Sequence, residues 1–338
     1  MESLEGRVMG ESWEGKRVLI TGTTGMVGSW LAKDLIKRNA SVVALVRDID
    51  YQTEFYRSGD YLKANIVNGA LEDFSAVQRA INEHEIDTVF HLGAQTIVGA
   101  GYREPLQTFE SNIRGTYNLL ESCRRHSDIV KGIVIASSDK AYGISAKLPY
   151  TEDMPLKGNH PYDVSKTCTD LLAQTYFNTY GLPLAIARCG NIYGGGDLNW
   201  SRIVPGTIRS LLNNQRPIIR SNGKMVREYI YIKDVTDAYL RLAESADKKG
   251  VSGEAFNFST ESRMTVLEIL NAVRDAMGKN DLEPVILNQN LKEIPEQSLS
   301  AKKAKKVLGW QSKYDMKKGL EETILWYRTY FGGEKNIS

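Results

Sequence analysis

Two hydrophobic rhythms alternate along the chain up to about residue 190. Short apolar runs at 17–20, 42–46, 65–67, 88–92, 129–136 and 183–188 have the profile of buried strands. Between them lie stretches with helical spacing of apolar residues. The first, 29–38, sets Trp30, Leu31, Leu35 and Ile36 on one side, and others follow at 74–85, 105–125 and 162–180. Strand–helix alternation of this kind predicts an α/β fold with a right-handed, doubly wound parallel sheet. Residues 49–62 read as a polar loop spotted with aromatics.

Beyond residue 190 the rhythm breaks into shorter, mixed elements. A glycine-rich loop at 189–197 is followed by a helix at 203–212, extended segments at 217–220 and 226–232, and a helix at 235–245 that returns to the main sheet. Residues 255–258, a helix at 265–277, a strand at 284–287 and two C-terminal helices complete the chain. The expected organisation is an irregular arm at 1–14, a dinucleotide-binding domain at 15–190 with returning segments near 225–260, and a smaller α/β substrate lobe over most of 191–338. No internal repeat or low-complexity linker interrupts it. The basic run Lys302, Lys303, Lys305 and Lys306 is interleaved with Ala301, Ala304, Val307 and Leu308, so it reads as a solvated helix face.

The first strand feeds into Thr21-Gly22-Thr23-Thr24-Gly25-Met26-Val27-Gly28 and then a helix. Strand, Gly-x-x-Gly-x-x-Gly and helix cradle a dinucleotide pyrophosphate: glycines admit the backbone, and the helix N-terminus offers N–H groups and positive potential. Gly22, Thr24, Gly25, Met26, Val27 and Gly28 are therefore candidate cofactor contacts in a Rossmann-type domain. The second strand ends at Arg47-Asp48, where Arg suits a 2′-phosphate and Asp a ribose 2′-hydroxyl, so NAD and NADP both stay open. Leu71 and Glu72, after the third strand, lie where an adenine rests. Leu92, Gly93 and Ala94, after the fourth, are small enough to let a cofactor lie close. His91 reads as a structural histidine.

Tyr162 and Lys166 are one helical turn apart and share a face. A lysine ammonium beside a phenol favours the phenolate. With Ser138 at the end of the fifth strand they make a set that moves a proton on and off an alcohol while hydride leaves the same carbon. Asp139 and Lys140 follow directly.

Composition narrows the partners. Lys+Arg 43 against Asp+Glu 41 argues against a nucleic acid or a membrane surface as the partner. The apolar runs are too short to span a bilayer, and Glu2, Glu5, Glu11 and Glu14 argue against a secretory signal. Cys123, Cys168 and Cys189 contain no Cys-x-x-Cys, so neither a disulfide framework nor a metal site is expected, and the location reads as cytoplasmic.

Over nearly the whole chain these motifs resemble the extended branch of the short-chain dehydrogenase/reductase superfamily. His91-Leu92-Gly93-Ala94-Gln95, Asn112-Ile113-Arg114-Gly115-Thr116, Arg188-Cys189-Gly190-Asn191-Ile192-Tyr193-Gly194, Leu308-Gly309-Trp310 and Trp326-Tyr327 add to the likeness. Ser138-Asp139-Lys140, Gly28-Ser29-Trp30-Leu31 and Gly194-Gly195-Gly196-Asp197 with Arg202-Ile203-Val204-Pro205 look like the nucleotide-sugar 4,6-dehydratases, most of all the CDP-glucose group. Thr23 and Met26-Val27 depart from it, where that group leads us to expect His and Phe-Lys.

The resemblance implies a lyase of deoxysugar biosynthesis with a tightly bound, recycled NAD or NADP. Tyr162 takes the proton of the sugar 4-hydroxyl, Lys166 lowers its proton affinity and Ser138 bonds the same oxygen. Asp139 serves as the acid for water loss at C6 and Lys140 as the C5 base, or else Lys140 only stabilises an enolate. Paired as ions, both would be in the wrong state, and desolvation opposes that pairing. Gln95, Asn191, Arg202 and Arg227 are candidate contacts to a nucleotide-diphosphate sugar, the guanidinium forks matching phosphate oxygens. A C4 epimerase or reductase of the same branch is the alternative, and a non-catalytic cofactor-binding protein a third reading. The helices at 105–125 and 162–180 are expected to pair in a homodimer.

Overall fold

The computed structural model describes residues 13–289 and 294–333, so most of the expected 1–14 arm lies outside the described residues. Strands β1 (Arg17–Thr21), β2 (Ser41–Val46), β3 (Asn65–Asn68), β4 (Thr88–His91), β5 (Gly132–Ala136) and β6 (Leu184–Cys189) form the expected parallel sheet. With β7 (Asn191–Tyr193), β8 (Ile218–Ile219), β9 (Val226–Tyr231) and β10 (Ala255–Phe258), the sheet order is β10-β6-β5-β4-β1-β2-β3. The order reverses between β1 and β4, and ligands in open α/β sheets bind at the carboxyl ends beside such a switch point.

Strand periodicity explains why the sheet is buried on both sides. Val18 and Ile20 join one apolar layer with Leu31, Leu35 and Tyr239, while Leu19 joins the opposite layer with Ile81 and Leu119. The helix Ile232–Ala243 packs back on the first layer, as its expected return required. Trp310 closes that layer: its ring meets Phe258 edge-on at 4.9 Å and its Nε1 donates to the Asp234 carbonyl at 3.2 Å.

The smaller lobe has its own core around Tyr231, Ile269 and Tyr327. It contains a three-stranded sheet, β11 (Arg263–Thr265)–β9–β7, and the pair β12 (Val285–Ile286)–β8. Two of these strands differ from expectation. Residues 191–193 read as loop because of their glycine-rich context, yet they pair with Tyr229–Tyr231 of β9. Arg263–Thr265, likewise not anticipated, is antiparallel to β9. The helix at 105–125 also differs in detail: α-helical turns at Pro105–Phe109 and Gly115–Arg125 flank a π-helical turn, Glu110–Arg114. The aromatic-spotted loop is ordered by its aromatics, with Phe55 and Tyr56 buried in a short helix, Glu54–Arg57. A short helix at Val98–Arg103 was not anticipated.

Candidate active site

One continuous cleft of about 1450 Å³ runs along the carboxyl ends of β1, β4 and β5 and under the smaller lobe. The side chains expected to act on cofactor or substrate all line it. From the glycine loop these are Gly22, Thr24, Gly25, Met26, Val27 and Gly28; beyond it come Arg47, Asp48, Leu71, Glu72, Leu92, Gly93 and Ala94. Ser138, Asp139, Lys140, Tyr162 and Lys166 lie in the same cleft, as do Gln95, Asn191, Arg202 and Arg227.

The glycine loop is built by close backbone contact. Gly22 adopts φ +74°, and a Cβ there would lie 2.7 Å from the Gly93 amide nitrogen. A Cβ on Gly28 would lie 2.2 Å from the Gly22 carbonyl oxygen. The helix Met26–Lys37 opens at Gly25 with no side-chain cap, so its N-terminal N–H groups face the cleft without competition from a capping oxygen. Thr23, where His is the expected family residue, is buried, and its hydroxyl donates to the Ile20 carbonyl at 2.7 Å. That position therefore serves the loop. This cradle suits a dinucleotide diphosphate. Arg47 Nε donates to Asp48 Oδ2 at 2.6 Å, both side chains exposed at the end of β2.

His91 is structural, as expected. Thr21 Oγ1 accepts from the Leu92 and Gly93 amides, so its own proton goes to His91 Nδ1 at 2.9 Å. Thr116 gives its proton to the Asn112 carbonyl and accepts from His91 Nε2 at 3.0 Å. Burial holds the ring neutral, pushing its pKa down to about 3.

Asn112, in the π-helical turn, belongs to a motif that carries the family likeness, and the sequence assigns it no contact. Its Nδ2 donates to the Gln95 carbonyl at 3.0 Å and to Ser165 Oγ at 2.9 Å, and its Oδ1 accepts from the Gln95 amide at 2.7 Å. It thus ties the loop after β4 to the helix Pro161–Tyr180. The Gln95 side chain turns back on its own loop, its Oε1 accepting from the Ile97 amide at 2.5 Å.

Tyr162 and Ser138 are hydrogen-bonded, and burial pushes the phenol up to about 12. The strongest opposing charge on it is Arg202. Lys166 is buried, donates to the Ala136 carbonyl at 2.7 Å, and is itself pushed down to about 8 by desolvation. Arg202 also pairs with Asp197 at 3.0 Å.

Asp139 and Lys140, which paired as ions would both be in the wrong state, are each hydrogen-bonded to another partner. Lys140 Nζ donates to Gln297 Oε1 at 3.0 Å, and the Asp139 carboxyl accepts from Ser138 Oγ at 3.1 Å. Burial raises the Asp139 pKa from its ordinary value, against the pull of Lys140 and Arg227. Asp163, inside the Tyr-x-x-x-Lys motif, is a second buried carboxyl with raised pKa facing Lys140 and His160, and its only signal in sequence is its place in that motif. Arg227 is buried and donates to the Val226 and Pro295 carbonyls at 2.8 and 3.2 Å. Asn191 Nδ2 reaches the Glu228 carbonyl at 3.4 Å. Burial pushes the Cys168 thiol up, away from the thiolate a nucleophile needs.

Behind Arg227, the buried Glu228 carboxylate accepts from Ser259 Oγ and the Leu299 amide at 2.5 and 2.9 Å, and desolvation raises its pKa from 4.5 to about 7. The folded protein therefore holds this proton more tightly than the unfolded chain. The stability gained below pH 4.5 is lost as pH rises to about 7, a span of up to about 3 kcal/mol. Glu228→Gln is expected to flatten the melting temperature between pH 5 and 8. Parallel wild-type and variant profiles in calorimetry would contradict this.

A parallel sheet with a glycine cradle at its switch point and a Ser–Tyr hydrogen bond beside a buried lysine defines an extended short-chain dehydrogenase/reductase. The chain belongs to the GDP-mannose 4,6 dehydratase family, whose model matches residues 19–323. It is 31% identical to the CDP-glucose 4,6-dehydratase of Salmonella typhimurium over 95% of this chain and 93% of that one. Among solved structures it is similar to the UDP-glucose 4-epimerase of Thermotoga maritima with UDP-glucose, at TM-score 0.84 and 27% identity over 93% of this chain and 99% of that one. The fold is shared with the dTDP-glucose 4,6-dehydratase of Streptomyces venezuelae, solved with NAD and TYD bound, at TM-score 0.84 and 24% identity over 94% of this chain and 98% of that one. Among the described residues no helix is long and apolar enough to cross a membrane.

Proposed function

We propose that the protein is a nucleotide-sugar 4,6-dehydratase that converts CDP-glucose, or a related NDP-hexose, to the 4-keto-6-deoxy sugar. The observation carrying this reading is the buried Asp139 carboxyl of raised proton affinity, set beside the Ser138–Tyr162 hydrogen bond in one cleft. Removing water needs an acid at C6, a role that burial of Asp139 favours by raising its proton affinity, and epimerisation at C4 does not. The 31% identity to a CDP-glucose 4,6-dehydratase supports the choice of sugar nucleotide.

Gly22, Gly25, Gly28 and the N-terminal turn at Met26 would hold the diphosphate of NAD or NADP, and Lys166 its ribose. When bound, the nicotinamide supplies a reversible hydride acceptor and, oxidised, a positive charge in the cleft. In this reading Tyr162 takes the proton of the sugar 4-hydroxyl, with Ser138 bonded to the same oxygen and Arg202 favouring the phenolate. Lys140 takes the C5 proton acidified by the 4-ketone. Asp139 gives its proton to the hydroxide leaving C6, so one water departs and the C5–C6 double bond forms. Lys140 then returns a proton to C5 as C6 regains the hydride withdrawn from C4, which completes the 4-keto-6-deoxy sugar. Arg202 and Arg227 supply positive charge for the substrate diphosphate.

We further propose a cytoplasmic homodimer. The three cysteines are unpaired, and Leu106, Tyr117, Leu171 and Tyr180 expose apolar surface on the helical run from Pro105 and on the helix Pro161–Tyr180. Sedimentation at micromolar concentration should give twice the chain mass, and a monomer would count against the pairing.

The functional test is incubation with a panel of nucleotide sugars, following product mass. Loss of one water from CDP-glucose, with no added cofactor consumed, is the expected result. Unchanged mass with a new C4 stereoisomer would replace this reading by an epimerase.

A further inference from the structure

The strap at 294–300 has no part in the chemistry above, yet it reaches into it. Its backbone is fixed from two directions. The Gln297 amide donates to the Val226 carbonyl at 3.1 Å, the Tyr150 amide donates to the Ser298 carbonyl at 2.7 Å, and the Ser300 amide donates to the Tyr150 carbonyl at 2.9 Å. The Glu228 carboxylate receives the Leu299 amide. Between these ties Gln297 is only 1% exposed. Its Oε1 accepts from Lys140 Nζ at 3.0 Å, while its Nε2 is buried without a hydrogen-bond partner among the described residues.

An orphaned buried amide N–H is costly, and natural proteins rarely keep one without a use. A primary amide has a carbonyl acceptor at one corner and N–H donors at the other, nearly identical in size. As found, the carbonyl receives a proton from a lysine ammonium. Turned over, the same side chain presents Nε2–H to the lone pair of a neutral amine, in the same volume. Since Nε2 has no bond to lose, turning over sacrifices nothing on that side. A carboxylate here would offer no donor to the lone pair of the amine, and an alkyl chain neither donor nor acceptor.

We propose that Gln297 is a positioning residue for Lys140 that serves the lysine in both protonation states, letting it take up and release the C5 proton without losing its place. The proposal rests on the reading of Lys140 as an acid–base group. The other charges facing this lysine are Asp139 on its own turn and Asp163 on the helix Pro161–Tyr180, with His160 acting on Asp163. From β9, Arg227 and Glu228 act on Asp139.

The test compares wild type, Gln297→Glu and Gln297→Met as folded holoenzymes with CDP-glucose across pH. Three readouts are followed: kcat, KM, and exchange of the C5 hydrogen with deuterated solvent. Gln297→Glu adds a fixed charge beside the ammonium. The rising limb of kcat should move up by about one pH unit, with about a tenfold loss at neutral pH. Gln297→Met removes the acceptor without adding charge. The limb should move down while the maximum falls about tenfold. In both variants KM and the transient reduced-nicotinamide absorbance, which report binding and C4 oxidation, stay as in wild type. The opposite displacement of the two limbs is a signature that loss of packing would not produce. A dehydrating wild type whose profile both variants reproduce overturns this inference alone. A wild type that releases no water from any sugar nucleotide overturns the reading beneath it.

Discussion

Tyr162→Phe lowers kcat by roughly a thousandfold, the range of losing a positioned acid–base group, and leaves the fold intact. The phenylalanine keeps the ring and gives up only the hydroxyl bonded to Ser138. Without that hydroxyl nothing accepts the proton of the sugar 4-hydroxyl, so the first step fails and every later one with it. The loss should appear in kcat, with KM within about threefold of wild type and an unchanged melting temperature. Turnover above a tenth of wild type would move the proton acceptor elsewhere. The pH dependence carries a second expectation. The phenol is pushed up to about 12 in the free cleft, so the ascending limb of wild-type kcat/KM for the holoenzyme reports how far bound cofactor brings it down, and that of kcat what bound substrate adds.

The largest effect on stability lies just beneath the site. Arg188 on β6 meets Asp170 of the helix Pro161–Tyr180 in a bidentate pair, at 2.8 and 2.9 Å, with the two side chains 3% and 0% exposed. Its remaining nitrogen donates to Tyr142 Oη at 2.7 Å, and Tyr142 donates to Asn257 Oδ1 at 2.8 Å. One guanidinium therefore links the helix bearing Tyr162 and Lys166 to the turn bearing Asp139 and Lys140. Arg188→Met leaves a buried carboxylate uncompensated, a loss of about 3–5 kcal/mol, read as a fall in melting temperature of roughly 10 °C. The double replacement Arg188→Met with Asp170→Leu removes both charges and should recover most of it. A double variant as unstable as the single one would show that the packing of Arg188, not its pairing, matters.

What was legible in the sequence was local. The glycine loop between strand and helix, the Tyr-x-x-x-Lys helix and the small residues after β4 each carry their geometry within a few positions, and all reach the cleft. Burial of the sheet on both faces could be read from unbroken apolar runs. What stayed hidden depends on partners far along the chain. Lys140 and Gln297 are 157 positions apart, and no periodicity links a lysine in a turn to a glutamine in a strap. The pairing of 191–193 with β9 is equally non-local, and glycine content concealed it. The partners of Asp139 and Lys140 could not be read from adjacency, which does not direct two side chains at each other; in the fold Lys140 bonds Gln297. The charge of Arg202 on Tyr162 was hidden for a related reason, since it comes from a loop of the smaller lobe and not from the helix that carries the Tyr-x-x-x-Lys motif.

The most direct test of dehydration at this site is CDP-glucose carrying deuterium at C4, incubated with the holoenzyme in ordinary water and with no added reductant. The account predicts a product lighter by one water, with the C4 deuterium now at C6 and a solvent-derived hydrogen at C5. A product of unchanged mass that keeps its deuterium at C4 in inverted configuration would contradict it.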